Sequence, residues 1–339
     1  MRKVVSVSTI RGLVLAAVLA GSLLASGCGA PAGDAPPTFT RSPAATRTLV
    51  ATPLVGAMQA ATPAITVRVP PALETATADT PAPEATGPPA GPTVEEVNVK
   101  IIVVYDNNAY AGSAVAGLRT DWGFACWVQA GDSTVLFDTG GNGAILLSNI
   151  IKLGLDPGQI DAIVLSHAHG DHTGGLMPLL DTGIRPVVYV PETFPVAFKD
   201  QVRTRTRLTE VGGPAEILPG VYTTGCVGTE IVEQALVVDT AEGLLVITGC
   251  AHPGIVNMVQ RAREAAPGDV ALVVGGYHLG SASQAEILRV SEGLRQLEVA
   301  RVAPCHCSGD LARATFSEGW GAECLLPGVG WDLTIEPAG

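Results

Sequence analysis

The histidines of this chain limit its fold more than any other feature, because all six fall in four short motifs. Three of them lie within one six-residue segment, as His167, His169 and His172. The other three stand alone, and each follows an apolar run that predicts a β-strand: His252, His278 and His306. Histidine is the commonest metal ligand. A fold that brings these strand ends to one edge would therefore assemble a metal site.

Residues 1–28 predict an export signal. Basic residues open it, and an apolar stretch at 12–24 follows, which is too short to span a bilayer as a mature helix. Small residues at 25–27 precede Cys28, in a pattern that resembles a bacterial lipoprotein cleavage site. The pattern favours an exported lipoprotein, held by lipid on Cys28 at the outer face of the cytoplasmic membrane. Ordinary cleavage nearby, giving a periplasmic or extracellular protein, is the alternative.

Residues 29–97 differ in composition from the rest of the chain. They hold 13 of the 25 prolines and a single aromatic residue, Phe39. Such a segment cannot bury enough apolar surface to offset the entropy lost on ordering, so it predicts a disordered tether. Residues 98–339 are of ordinary composition and suit one larger domain.

The charge of the chain lies in residues 98–339. The first 97 residues carry six basic and six acidic side chains, which leaves the net charge of −12 to the domain. A groove for nucleic-acid phosphates normally has the opposite sign, so the sequence predicts a small-molecule substrate and no nucleic-acid partner. It leaves the oligomeric state open.

The domain holds six cysteines. Export permits disulfides, and a pair such as Cys305 and Cys324 is possible. Cys250 and Cys307 lie inside the histidine motifs, and we expect both to be free thiols.

Apolar runs and periodicity predict the order of strands and helices. The predicted strands are 99–105, 123–130, 133–137, 162–165, 187–190, 236–239, 244–248, 270–274 and 301–303. The predicted helices are 144–153, 255–265 and 283–297. The last helix opens with a capping box of Ser283 and Glu286. Strands that first pair locally and then alternate with helices predict a layered α/β sandwich with the strands inside.

The clustered motif predicts two metal ions rather than one. The spacing of His167 and His169 places both rings on the same side of an extended loop, and Asp171 and His172 follow as the chain turns. Four donors in six residues can face two adjacent points. A structural zinc is usually closed by four ligands, often cysteines, whereas this supply of histidine and aspartate favours an open, catalytic site.

These motifs resemble those of the metallo-β-lactamase-fold superfamily. Residues 167–172 match its H-x-H-x-D-H signature, and Asp138 matches its preceding strand-end aspartate. The resemblance covers most of 98–335 and implies a four-layer αββα sandwich. The motifs around His252, His278 and His306 are similar to one branch of the superfamily. That branch contains metal-dependent hydrolases and proteins like dihydropterin–ribofuranosylaminobenzene-phosphate synthase.

The resemblance also implies roles for single residues. Two divalent ions are expected, with Zn²⁺ the expected metal. The first ion would be held by His167, His169 and His252, and the second by Asp171, His172 and His306. Asp138 would orient the loop without touching metal, or would only cap the turn. Most members place a bridging aspartate where this chain has His278, so His278 would be a weaker ligand or a donor facing the substrate.

The expected activity is that of an exported metallohydrolase. A metal-activated water would attack an ester, lactone or phosphoester, with Asp171 holding the nucleophile and His278 stabilising charge on the substrate oxygen. The chain departs from the branch at 121–123, where Asp-Trp-Gly replaces Glu-His-Gly, and at Gly170, where a tyrosine is usual. These departures alter substrate contacts more than metal binding. The alternatives are a pterin-related synthase and a non-catalytic metal- or ligand-binding lipoprotein. A nuclease is disfavoured by the acidic domain.

Overall fold

The computed structural model describes residues 98–337. The predicted export signal at 1–28 and the tether at 29–97 lie outside the described residues. Within the described part, no helix is both long enough and apolar enough to cross a membrane.

Thirteen strands form two sheets in this part of the chain. The seven-stranded sheet contains β1 (Val99–Tyr105), β2 (Ala125–Ala130), β3 (Ser133–Phe137), β4 (Ala162–Val164), β5 (Val187–Pro191), β6 (Leu208–Val211) and β13 (Asp332–Ile335). Its strand order is β13-β1-β2-β3-β4-β5-β6. The strands from β13 to β3 pair antiparallel, and those from β3 to β6 pair parallel.

The six-stranded sheet is also half parallel. It contains β7 (Ala215–Leu218), β8 (Val221–Thr223), β9 (Leu236–Val238), β10 (Leu244–Thr248), β11 (Val270–Gly276) and β12 (Arg301–Cys305), in the order β12-β11-β10-β9-β8-β7. The strands β10, β11 and β12 are parallel, and the remaining pairs are antiparallel. Parallel neighbours need crossover connections, and helices supply them on both sheets.

Seven α-helices cover the described part. They are α1 (Gly143–Lys152), α2 (Gly170–Thr173), α3 (Leu176–Leu180), α4 (Val196–Arg203), α5 (Ile255–Ala265), α6 (Gln284–Gln296) and α7 (Asp310–Trp320). Side-chain caps fix two of the starts. Asn142 accepts hydrogen bonds from the N–H groups of Ala144 and Ile145 at the start of α1, and Ser283 accepts one from Glu286 at the start of α6.

Three apolar clusters show how the layers meet. Alternate residues of β1 separate onto two faces, with Ile101 and Val103 in a cluster that also contains Ile247 and Val274 of the other sheet. The opposite face of the first sheet packs with α1 and α3, and the opposite face of the second sheet packs with α5, α6 and α7. Both faces of each sheet are thus covered, which is why the central strands are continuous apolar runs in the sequence.

The mixed α/β architecture with two sheets is as predicted, and the predicted strands and helices are confirmed to within two residues at their ends. The strand predicted from 123 begins at Ala125. Strands β6, β7, β8 and β13 and helices α2, α3, α4 and α7 were not predicted. The Cys305–Cys324 disulfide is wrong, because all six cysteines of the described residues are free. Cys305 is buried in the cluster between the sheets, whereas Cys324 lies against the helices of the second sheet.

Candidate metal centre

The predicted site residues all follow the carboxyl ends of strands. In the first sheet, Asp138 follows β3 and the 167–172 motif follows β4; in the second, His252, His278 and His306 follow β10, β11 and β12. Strands β3 and β4 run parallel, as do β10, β11 and β12. The carboxyl ends of parallel strands meet at one edge, where ligands bind in α/β folds. The two sheets thus bring the four motifs into one cleft.

The first group of donors combines carboxylate, imidazole and thiol. Asp171, His172, Cys250 and His306 each offer one atom, and these atoms lie within 4.8 Å of one another. The Oδ2 atom of Asp171 is 3.6 Å from Nε2 of His172 and 3.5 Å from Nε2 of His306. The Sγ atom of Cys250 is 3.2 Å from Nε2 of His172. The three residues predicted for the second ion are therefore together, with a cysteine added.

The second group contains His167, His252 and again Cys250. His169, predicted as a ligand of the same ion, belongs to neither group. Its Nδ1 atom is instead 3.0 Å from Nε2 of His167, and its ring centroid is 4.9 Å from that of His252. His169 is also exposed, whereas His167 is fully buried. The structure thus places His169 at the rim of the predicted site.

His278 lies on the solvent side of the cleft. Its ring centroid is 4.1 Å from that of His252, and the side chain is exposed. One of its ring nitrogens forms a third group with the thiols of Cys250 and Cys307. This placement leaves His278 accessible to a bound molecule.

The donor sets fit divalent cations. Among the buried side-chain nitrogen and oxygen atoms of residues 98–337, Nε2 of His252 and Nε2 of His306 have no hydrogen-bond partner. A buried polar atom without a partner is costly, and one explanation is an ion that the protein is built to hold. Both nitrogens belong to imidazoles in the two groups described above. Imidazole, carboxylate and thiolate are the ligands that Zn²⁺ takes in proteins.

Asp138 holds the clustered motif in place through hydrogen bonds. It is fully buried and accepts three hydrogen bonds of 2.7 Å, from the N–H and the hydroxyl of Ser166 and from Nδ1 of His172. Because a carboxylate can only accept, the proton of the His172 ring lies on Nδ1. When the ring is neutral, the lone pair of Nε2 faces Asp171 and Cys250. Asp138 therefore orients a donor rather than joining either group.

Glu233 supports the other side of the cleft, and sequence reasoning missed it. Its buried carboxylate accepts hydrogen bonds from three successive N–H groups, at 2.6 Å from Cys250, 2.9 Å from Ala251 and 2.7 Å from His252. It also lies 3.6 Å from Nδ1 of His167. One carboxylate thus holds three successive residues of the loop after β10. Glu233 lies in the connection between β8 and β9, which carries no motif.

Asp106 and Asn107, directly after β1, hold His306. The carboxylate of Asp106 accepts from the N–H of His306 at 3.1 Å, and Oδ1 of Asn107 lies 3.0 Å from Nδ1 of its ring. A histidine that bonds through one ring nitrogen presents the other to a metal in a fixed direction. These two residues stood in the sequence as a polar pair at a strand end, and that signal could have assigned the role.

Backbone strain also concentrates at the cleft. Five non-glycine residues in the described part have positive φ, and four of them belong to the site: Asp138 (56°), Ala251 (58°), His278 (53°) and His306 (47°). Such conformations cost on the order of 1–3 kcal/mol each and cluster at functional sites. The hydrogen bonds to Glu233 and Asp106 offset part of that cost.

The electrostatics of the cleft suit a cation. Burial lowers the pKa of His167 well below its usual range and, with the neighbouring His278, lowers that of His252 to about 4, so both rings are neutral donors. Burial also lowers the pKa of His172, but the charge and hydrogen bond of Asp138, with Asp171, outweigh it and raise that pKa to about 9. The negative field responsible for this shift is one that attracts a divalent cation.

Gly249 permits the close approach of the two sheets, and replacing it should damage the site. A Cβ atom there would lie 2.6 Å from Cβ of Ser166 and 2.9 Å from Oδ2 of Asp138. Gly249→Ala should lower the free energy of unfolding by about 2 kcal/mol or more through overpacking. Gly319→Ala in α7 is the matched control, because nothing lies within 4 Å of its added Cβ. Chemical denaturation of both variants checks this, and equal midpoints would contradict it.

Comparison with known proteins agrees with this geometry. The family model described as the metallo-beta-lactamase superfamily matches residues 123–306, more than half of the chain. The 7,8-dihydropterin-6-methyl-4-(beta-D-ribofuranosyl)-aminobenzene-5'-phosphate synthase of Methanocaldococcus jannaschii is 29% identical over 230 residues, covering 54% of this chain and 78% of that protein.

Two solved structures are also similar. Tm1679, a metal-dependent hydrolase of the beta-lactamase superfamily, matches with a TM-score of 0.58 and 27% identity, covering 70% of this chain and 99% of that one. The metallo-beta-lactamase fold protein YhfI from Bacillus subtilis has a TM-score of 0.52 at 16% identity, covers 70% of this chain and 100% of its own, and shares the fold. With the family model matching the cleft motifs themselves, this chain belongs to the metallo-beta-lactamase superfamily.

Proposed function

We propose that this protein is a metal-dependent hydrolase of small esters, lactones or phosphoesters. The observation that carries the proposal is the pair of donor groups that share Cys250 and open toward the exposed His278. A closed structural site would leave no free position for a reacting molecule. Two divalent cations held here, with Zn²⁺ the expected ion, would act as Lewis acids and lower the pKa of water toward neutrality.

Two side chains of the protein, Asp171 and His278, would act on the water and on the substrate. Burial raises the pKa of Asp171, but the neighbouring rings of His306, whose Nε2 lies 3.5 Å away, and of His172 outweigh it and hold that pKa well below its usual range. The ionised carboxylate can then accept a hydrogen bond from an attacking water and orient it. The neighbouring Cys307 raises the pKa of His278, and the exposed ring can donate a hydrogen bond to developing charge on a substrate oxygen.

The surroundings of the cleft suit a small substrate. A pocket of about 430 Å³ opens beside His252, lined mainly by residues 227–231. On the other side, the ring of Trp122 lies 4.9 Å from that of His306 and the side chain is 55% exposed. Trp122 stands where the similar branch has histidine, and a flat or apolar part of a substrate can pack on it. The net negative charge of the domain disfavours binding to nucleic acid.

The second candidate is a pterin-related synthase, because a relative of that name is 29% identical. The test is to load the purified protein with Zn²⁺ and assay a panel of esters, lactones and phosphodiesters. A parallel assay supplies a dihydropterin with an aminobenzene ribosyl phosphate. We expect turnover on the panel. Turnover only with the pterin pair would establish the synthase, and turnover on neither would support a non-catalytic metal-binding protein.

The finer architecture is inferred from the packing clusters. Helices against the outer face of each sheet support a four-layer αββα sandwich for the domain at 98–339. Residues 1–28 and 29–97 would precede it as export signal and tether. That organisation fits a protein exported to the outer face of the cytoplasmic membrane, or released from it.

Lipid on Cys28 would anchor the protein. A single acyl chain binds a membrane only marginally, so stable attachment needs more than one chain on the cysteine. Cys28→Ser should therefore move the protein from the membrane fraction to the soluble fraction. Cys226→Ser, in the connection after β8, is the control and should stay with the membrane. Cell fractionation checks both, and a wild-type protein that is already soluble would contradict the anchor.

A further inference from the structure

Cys250 is the one residue common to all three donor groups of the described chain. Its Sγ atom lies 3.2 Å from Nε2 of His172, and the side chain is buried. In one group it joins Asp171, His172 and His306, and in another it joins His167 and His252. A single sulfur atom therefore lies within reach of both positions at which the other donors converge.

The surroundings of this thiol differ from those of a packing cysteine. Cys126 shows the ordinary case, since it is buried among apolar side chains between the sheets. Cys250 is absent from the three apolar clusters and faces ring nitrogens and a carboxylate instead. Its position is also fixed, because its N–H donates to Glu233 and the next residue, Ala251, has a positive φ of 58°. A strained backbone and a hydrogen bond to a buried carboxylate thus fix the position of this sulfur.

Charge gives a reason for a thiolate at this point. Besides Cys250, the two donor groups contain one carboxylate, Asp171, and imidazoles, which are neutral when they bind a metal. Two divalent cations close together repel each other, and an anion between them offsets that repulsion. A coordinating thiol is deprotonated outright by the cation. An imidazole such as His278 is neutral when it ligates and cannot give the same compensation.

We propose that Cys250 is a metal ligand shared by the two cation positions, and that its sulfur favours Zn²⁺ over Mg²⁺ or Mn²⁺. The preference follows from the softness of thiolate, which suits zinc, whereas carboxylate and water suit the harder ions. The inference rests on the metal-dependent part of the proposed function. The unpartnered and almost fully buried Nε2 of His306, in the same donor group, independently points to a ligand there.

The test uses the full chain loaded with Co²⁺ in place of Zn²⁺. Thiolate bound to Co²⁺ produces a charge-transfer absorption band in the near ultraviolet. We expect that band in the wild type and in Cys226→Ser, and its loss in Cys250→Ser. Chelator competition should show that Cys250→Ser binds Zn²⁺ at least about 10–100-fold more weakly, the loss that even an outer partner of a ligand causes.

Two outcomes would overturn the proposal. One is the absence of any thiolate band in the Co²⁺-loaded wild type, which decides the matter even if Cys250→Ser fails to fold. The other is a band that survives in Cys250→Ser and disappears in Cys307→Ser, which would assign the sulfur to the neighbouring thiol. The absorption reports ligation without a substrate. If the hydrolase assay fails, the absorption band still shows whether Cys250 binds metal. If the band is missing, the assay still shows whether the protein is a hydrolase.

Discussion

His252→Ala should strip metal from the cleft and lower turnover by about 10³-fold or more. Its Nε2 atom has no partner in the protein, so the imidazole contributes little besides ligation. Loss of several kcal/mol of Lewis-acid stabilisation corresponds to a factor of this size. His252 is only partly buried, unlike the fully buried His167, so truncation should leave the fold intact.

His278→Ala is the matched comparison. It removes a neighbouring imidazole whose ring lies 4.1 Å from that of His252 but which is exposed. This variant should keep its metal and slow the reaction by about 10²-fold, the cost of losing one donor to developing charge. Elemental analysis and turnover on the same preparations check both variants. A metal-free His278→Ala beside a fully loaded His252→Ala would reverse the roles assigned here.

The strands that carry the site could be predicted because both of their faces are buried. Leu244–Thr248 and Val270–Gly276 are continuous apolar runs for that reason. Two edge strands that were missed lack this signal. Ala215–Leu218 exposes two of its four residues, and Asp332–Ile335 buries only Ile335. Asp332–Ile335 also pairs with a strand that is far away in the chain, Val99–Tyr105.

Helix α7 was missed for a different reason. Its buried positions, Ala312, Thr315, Phe316 and Trp320, do recur at helical spacing. Two of the four are small or polar, so the apolar stripe is weak by composition even though its period is correct. The stripe becomes clear only when Phe316 and Trp320 are seen packed in the cluster beneath the second sheet.

The residues of the candidate site also differ in whether the sequence could predict their roles. The histidines could be found because ligand chemistry restricts the residue type. Cys250 lay inside a predicted motif, but its sulfur could be placed between two donor groups only by the path of the loop after β10. Glu233 has no local signal at all, since its partners are backbone N–H groups 17 to 19 residues away. A residue that acts by holding another loop is visible only in three dimensions.

Asp138→Asn should preserve the fold and weaken metal binding by about 10–100-fold, the usual cost of losing a ligand's outer partner. Asparagine tolerates the positive φ of 56° at this position and keeps the side-chain shape. However, its amide donates where the carboxylate accepted from Nδ1 of His172. The ring proton then shifts to Nε2, the atom that faces Asp171 and Cys250, and blocks ligation. Asp138→Ala should lose stability as well, because it removes all three hydrogen bonds.

The pH dependence of stability gives this role a second test, on metal-free protein. The carboxylate raises the pKa of His172 from 6.5 to about 9. A raised pKa stabilises the folded state below the unfolded value, and the contribution is lost as pH rises through the folded value. The gap in free energy of unfolding between wild type and Asp138→Asn should therefore be widest just below about pH 6.5 and narrow toward about pH 9. Denaturant titrations across that range measure the gap. A gap that stays constant or widens with pH would show that Asp138 does not hold the charged ring of His172, and the tautomer argument for metal binding would fail with it.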